Sequence, residues 1–131
     1  MSISKVDRER YIEMFNDTMI EFLNDLLRVS KDDKDIKKFK TSVIMLNTVQ
    51  KYKLAELFHL YVSPYYDQIR NKNVEFFKTR TDIYKNGYDG ENVTDELIDK
   101  LRVMWDSLGD VDHENVWNYL VVLMRLCEKI A

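Results

Sequence analysis

The sequence predicts an all-α fold: an antiparallel bundle of five to six helices with an irregular segment near residues 72–93. Two observations support this class. The 131 residues include only three glycines and one proline, whereas proteins built from strands need many turns and therefore many of these residues. Apolar residues also recur at steps of three and four along most of the chain, which is the spacing of helices with one buried face.

Length and composition predict one helical domain over residues 1–131. A chain of this length buries roughly two-thirds of the surface that its unfolded form exposes. Its apolar fraction of 45% is typical of a globular protein and not of a disordered one. We therefore expect a core that forms without a metal ion or a disulfide.

The first predicted helix runs from about Asp7 to Arg28. Ser4 precedes Asp7 by three residues, which indicates a cap on the free N–H groups of the first turn. The residues predicted to face the core are Ile12, Phe15, Met19, Phe22, Leu23 and Leu26.

The second predicted helix begins at about Asp33 and ends near residues 47–48. Either Asp32 or Asp33 is expected to cap its N–H groups and to complement the helix dipole. Its predicted core residues are Ile36, Phe39, Val43 and Leu46.

The third predicted helix runs from about Val49 to Val62. Ser63 and Pro64 follow it, and this pair is typical of an N-cap and a first helical position. The step therefore either starts a short helix to about Asn71 or kinks a continuous one. The predicted core residues of the third helix are Leu54, Leu57, Phe58 and Tyr61.

Residues 72–93 have the least regular pattern in the chain. Val74, Phe76 and Phe77 are expected to tie this segment to the core. The Asn-Gly pair at 86–87 and the Asp-Gly pair at 89–90 are strong turn signals. They predict a loop, with a small hairpin as the alternative.

Two helices are predicted in the last part of the chain. Thr94 is expected to cap the first, which ends near Leu108 with Gly109 as the residue that terminates it. Asp112 is expected to cap the second, which ends near Lys129. The predicted core residues are Leu97, Ile98, Leu101, Met104, Trp105, Val116, Trp117, Leu120, Leu123, Met124 and Cys127.

Charge is spread unevenly along the chain, although the net charge is only −3. Residues 28–53 carry eight basic and three acidic groups, a balance of +5, and residues 89–114 carry two basic and nine acidic groups, a balance of −7. Segments of opposite charge either pair within the fold, pair between copies, or steer a charged partner.

Several classes of protein are disfavoured. Cys127 is the only cysteine, so neither an internal disulfide nor a cysteine-based zinc site is expected. A membrane span needs about 20 apolar residues in a row, and the sequence has no such stretch. The first residues also lack the apolar region of a signal peptide. These features predict an intracellular protein.

Candidate catalytic groups are sparse, and we expect no enzyme, no cofactor and no metal. His59 has only Glu56 within helical reach, which favours an edge histidine over a general base. Asp110, Asp112 and His113 contain metal-ligand types, but a helix N-terminus explains the same acidic residues without a metal.

The candidate contact surface is an aromatic and basic segment over residues 61–88. Aromatic side chains stack on bases and cations bind phosphates, so this composition also fits nucleic acid. The acidic net charge weighs against that alternative. The candidate residues are Tyr65, Tyr66, Arg70, Lys72, Lys78, Arg80 and Tyr84.

An ordered series of short motifs covers about residues 20–80. It consists of Phe22-Leu23-x-Asp25-Leu26, Asp32-x-x-Asp35-Ile36-x-x-Phe39-Lys40, Tyr61-Val62-x-Pro64-Tyr65-x-x-x-Ile69 and Lys72-Asn73-x-x-Phe76-Phe77. The series resembles that of small uncharacterised helical proteins of large DNA viruses of algae and amoebae. The resemblance implies a viral protein of the host cytoplasm, the viral factory or the virion, and it implies no catalytic residue.

Together these features predict a non-enzymatic protein that acts through protein–protein contacts, self-association included. The resemblance adds a structural role in the virion or the viral factory. The alternative is a nucleic-acid-binding accessory protein that uses the basic and aromatic segment 61–88.

Overall fold

The computed structural model describes residues 3–31, 33–74 and 93–131, except for the side chains of residues 93–96. Helices dominate these ranges, and no strand occurs within them. The α-helices are α1 (Lys5–Val29), α2 (Lys34–Val49), α3 (Lys53–Val62), α4 (Tyr66–Arg70), α5 (Val93–Met104) and α6 (Asp110–Ile130), with 3₁₀ turns at Ser63–Tyr65 and Trp105–Ser107. The predicted all-α bundle is confirmed, and the antiparallel arrangement of its helices stays a prediction.

Helices α1 and α6 pack along each other and form the centre of the core. The predicted stripes of both helices are buried, because apolar residues at steps of three and four face the same side of each helix. Phe15 of α1 meets Phe58 of α3 edge to face, with ring centroids 5.4 Å apart. This contact joins α3 to the central pair.

The predicted caps of the first two helices are confirmed. The Ser4 side chain accepts a hydrogen bond from the Asp7 backbone N–H at 3.1 Å. The Asp33 carboxylate accepts from the N–H groups of Asp35 and Ile36 at 3.0 and 3.1 Å. Both caps satisfy donors that have no partner inside their helices.

Helix α3 begins at Lys53, so the predicted start at Val49 is wrong. Gln50 leaves the helical region with φ −142° and ψ 81°. The next carbonyl, that of Lys51, accepts a hydrogen bond at 3.0 Å from Nδ2 of the buried Asn16. A contact from α1 therefore helps to hold the turn between α2 and α3.

The step at Ser63 and Pro64 is a 3₁₀ turn that leads from α3 into α4. Ser63 has helical φ and ψ of −55° and −36°, and no side-chain cap is made there. The predicted N-cap role of Ser63 is therefore wrong. The backbone leaves the helical region at Tyr65, with φ −112° and ψ 9°, before α4 begins at Tyr66. The structure is therefore closer to the alternative of a short separate helix, which starts two residues later than predicted.

The corner between α5 and α6 also differs from its prediction. Gly109 has an extended backbone, with φ −80° and ψ 175°, and occupies the N-cap position of α6. It does not terminate α5, which has already ended at Met104 and passed through a 3₁₀ turn. Because α6 starts at Asp110, Asp112 lies in its first turn and is not its cap. Thr94 lies inside α5.

The chain after α4 turns through residues 71–74. Lys72 has φ 53°, and the Asn73 N–H donates to the carbonyl of Gln68 at 2.8 Å, a pattern typical of a left-handed helix end. Most of the predicted irregular segment lies outside the described residues. Its Phe76, Phe77 and both turn signals belong to that part.

Candidate functional site

The predicted contact surface is only partly present among the described residues. Tyr66 is 8% exposed and belongs to the core, so it offers almost no surface to a partner, and its predicted contact role stays a prediction. Its hydroxyl lies 3.0 Å from Nδ1 of His59, which gives the buried phenol a polar partner. Burial raises the pKa of Tyr66 well above its usual range. Tyr65 is half-buried against the core.

Two of the four predicted cations of this surface, Arg70 and Lys72, lie among the described residues, and both pair with acidic residues of α6. The Arg70 guanidinium donates to Glu128 at 3.0 Å and to Asp67 at 2.7 Å, and Lys72 pairs with Glu114. These side chains are partly exposed, so the pairs add little stability in water. They connect the end of α4 and the turn after it to α6, and they reduce the charge that Arg70 and Lys72 present to a partner.

Lys78, Arg80 and Tyr84 lie outside the described residues. The structure therefore does not bring the predicted surface together as one site. Glu114 and Glu128 were missing from the prediction because they lie 42 and 58 residues from their partners along the chain. Spacing within one segment carries no signal for such a contact.

A cavity of about 390 Å³ lies between α1, α3 and α6. Its lining includes the apolar Ile12, Ala55 and Leu60, and the polar Arg8, Glu56 and His59, with Cys127 among the lining residues. The volume falls in the range of small-molecule sites, which also need a few converging polar groups. The cavity can hold an apolar group, but its polar side chains carry both signs of charge and select no ligand class.

Cys127 contributes to the lining of this cavity, but its side chain is buried. The thiol is 1% exposed, and its sulfur lies 3.7 Å from the Ala55 carbonyl oxygen. Burial raises the pKa of the Cys127 thiol to about 12. Because the thiolate is the reactive form, a neutral buried thiol does not catalyse nucleophilic chemistry at neutral pH.

Of the metal-ligand residue types at the start of α6, His113 has structural partners. Nε2 of His113 lies 2.7 Å from the Trp105 carbonyl oxygen. The His113 ring also stacks on the Trp105 ring, with centroids 4.1 Å apart. Within residues 3–31, 33–74 and 93–131, no three His, Cys, Asp or Glu side chains are grouped so that they could hold a metal ion. His113 therefore joins α6 to the turn before it.

The basic segment 28–53 and the acidic segment 89–114 contact each other through residues whose charge is opposite to the net charge of their own segment. Lys100 of α5 lies 3.0 Å from the Asp33 carboxylate and 3.1 Å from that of Asp35. Burial raises the pKa of Asp33, but the Lys100 ammonium and two backbone N–H groups outweigh it and leave this pKa lowered. The hydrogen bond to Asp33 raises the pKa of Lys100 in turn. A basic residue of the acidic segment thus binds acidic residues of the basic segment.

The outward side of α2 is a surface that the sequence analysis missed. Met45 is 64% exposed and Val49 is 77% exposed, and Ile44 beside them is also exposed. Toward the N-terminus the same side carries Lys34 and Lys38, which have no ion-pair partner within the described residues. We call these five residues the α2 face. Its signal was available: these apolar residues lie off the predicted core stripe.

The α2 face is presented by a well-anchored helix. Ile36, Phe39 and Val43 are buried on the opposite side of α2. A crevice of about 500 Å³ at the turn after α2 adjoins the face and includes Val49 and Tyr52 in its lining. The face therefore combines an apolar end next to a crevice with a basic end.

Comparison with known proteins adds no relative to these observations. A scan against protein-family models finds no matching family, and searches of curated proteins and of solved structures find no significant match. Among the described residues, no helix combines the length and apolar character that crossing a bilayer requires.

Proposed function

We propose that this protein works through protein–protein contact, without catalysis, and that the α2 face is its contact surface. The observation that carries the proposal is the exposure of Met45 and Val49 side by side on a helix whose other side is buried. Single exposed apolar residues are common on protein surfaces, whereas a group of them beside charged residues is typical of interaction sites.

The chemistry of the α2 face fits this role. Protein interfaces place apolar side chains at the centre and polar side chains around them. Ile44, Met45 and Val49 supply the apolar part, and Lys34 and Lys38 supply charge that attracts an acidic partner. Methionine also adapts its shape to a partner surface.

The cellular setting belongs to the proposal as well. The motif series over residues 20–80 supports a role in the virion or the viral factory of a large DNA virus, and it is the sole support for that setting. The proposed role requires no catalytic residue in either the virion or the viral factory.

Site-specific photo-crosslinking in the cells that make the protein tests the proposal. A photoreactive residue at Met45 should form covalent adducts with a protein, because this position lies inside the proposed contact. The matched control is Val122, an exposed apolar residue of α6. Equal adduct formation at both positions, or none at either, would contradict the proposal.

Binding of nucleic acid is the second candidate function, favoured by Lys34 and Lys38 along one side of α2. Arg70 and Lys72 favour it less, since acidic residues of α6 already pair with them. Retention of a labelled single-stranded oligonucleotide at low salt, with affinity falling as salt rises, would support it. The absence of retention at low salt would remove it.

A further inference from the structure

We infer that the partner of the α2 face is a second copy of this chain, which docks through the corner between α5 and α6. This inference rests on the proposed function and names the occupant of the contact surface. The corner comprises Val103, Asp106, Asp110, Val111 and Asp112, and we call it the acidic corner.

The acidic corner has the features that the α2 face requires of a partner. Val103 is 66% exposed and Val111 is 75% exposed, which places them with Met45 and Val49 among the most exposed large apolar residues described. Asp106 and Asp110 are exposed, and neither has an ion-pair partner within the described part of the chain. Apolar and acidic groups here complement the apolar and basic groups of the α2 face.

The ion pairs among the described residues leave these charges available. The contact between α2 and α5 uses Lys100 with Asp33 and Asp35, the minority charges of the two segments. The α2 face lies on the side of α2 opposite its buried residues. Since this face points away from the side of α2 that packs in the core, we assign the pairing of the two surfaces to separate copies.

The two surfaces differ, so the contact is head to tail. Each copy offers one α2 face and one acidic corner, and a contact between unlike surfaces leaves one of each unused at the ends of an assembly. Such a contact continues until it closes into a ring or extends as a filament. Salt should weaken it, since added ions screen the attraction between the lysines and the aspartates.

Mixing two variants tests this geometry. Val49→Asp disables the α2 face and keeps the acidic corner, whereas Val111→Lys disables the corner and keeps the α2 face. In low salt, sedimentation should show concentration-dependent assembly of the natural chain beyond a dimer. Each variant alone should associate at least about tenfold more weakly. An equimolar mixture of the variants should form a dimer that does not grow further, because each contributes one intact surface.

The natural chain sedimenting as a monomer at low salt and high concentration would overturn the inference. A mixture that stays monomeric while the natural chain assembles would also overturn it, because a contact other than this pairing would then be responsible. Thermal melts of both variants, matching that of the natural chain, show that the substitutions leave the fold intact. Failure here is separable from failure of the proposed function, since a Met45 adduct with a different protein leaves the α2 face as a contact surface.

Discussion

Helices α1 and α2 use their apolar residues differently. In α1, the six apolar residues of the predicted stripe are all buried, and this helix packs along α6 through the centre of the core. In α2, the stripe is buried at Ile36, Phe39 and Val43, but Met45 and Val49 lie outside it and are exposed. Burial stabilises the fold, so folding alone explains the buried stripe of α1. Helix α1 also exposes Val6, Met14 and Val29, but these lie far apart along the helix, whereas Met45 and Val49 are one turn apart. Folding does not explain Met45 and Val49, and the proposed contact with a partner would account for their exposure.

The largest effect is expected at the central helix pair. Leu120→Ala in α6 should lower the free energy of unfolding by about 2–5 kcal/mol, since it leaves a cavity where a fully buried side chain was. Urea denaturation followed by circular dichroism measures this change. Val122→Ala, an exposed position two residues further along α6, should change it by less than about 0.5 kcal/mol. Similar values for both would show that the buried side of α6 is misassigned.

Alkaline pH should weaken the same region through Cys127. The folded pKa of this thiol is about 12 and the ordinary value is 9.0, so the unfolded chain loses the proton first. Its contribution to stability is complete below pH 9 and is lost as pH rises toward 12, by up to about 1.4 kcal/mol per pH unit. Unfolding free energies between pH 8 and pH 11 should fall less steeply for Cys127→Ala than for the natural chain. Identical slopes would mean that the thiol is not buried.

The N-terminus of α2 is a smaller target, where the helix is fixed by charge and capping. Asp33→Ala removes the cap and the contact with Lys100, and should cost about 1–2 kcal/mol of stability. The folded pKa of Asp33 is lowered from its ordinary value of 3.8. Its contribution to stability is therefore complete above pH 3.8 and is lost as the pH falls below 3.8 through the folded pKa. Asp35→Ala is the control, since Asp35 contacts Lys100 but caps no helix. An equal loss for both variants would contradict the capping role.

The smallest effect on stability is expected at the α2 face itself. Val49→Asp should change the unfolding free energy by less than about 0.5 kcal/mol, because the side chain is 77% exposed. The same substitution should abolish the Met45 photo-adduct if the contact surface is assigned correctly. A large loss of stability would instead place Val49 in the core and break the comparison with α1.

Some of this architecture could be predicted from local sequence, and the reasons are specific. The buried side of α1 follows from the spacing of Phe15, Met19 and Phe22, and the start of α2 follows from the short polar side chain of Asp33. Both signals lie within a few residues of the structure that they specify. Helix starts at Lys53 and Asp110 were missed by several residues because tertiary contacts and backbone geometry decide them.

The candidate site was harder to predict than the fold. Exposure of Tyr66 depends on how α4 lies in the bundle, and the sequence around it favoured a surface role. Arg70 and Lys72 have partners on α6 that are distant in sequence. Met45 and Val49 lie off the stripe whose spacing identifies the core, so that spacing carries no information about their role. Exposed apolar residues on the outer side of a folded helix are a more useful signal for a contact surface than the aromatic and basic composition of segment 61–88.

Oxidative footprinting of two methionines tests the central claim most directly. Met45 lies on the α2 face and Met14 lies on α1, and both side chains are exposed in the single copy. Hydroxyl-radical oxidation followed by mass spectrometry, in dilute solution and in the cells that make the protein, compares their reactivity. We expect Met45 to become protected in the cells while Met14 stays equally reactive, because the proposed contact surface includes Met45 and not Met14. Unchanged oxidation of Met45 in both settings would contradict the assignment of the α2 face as a contact surface.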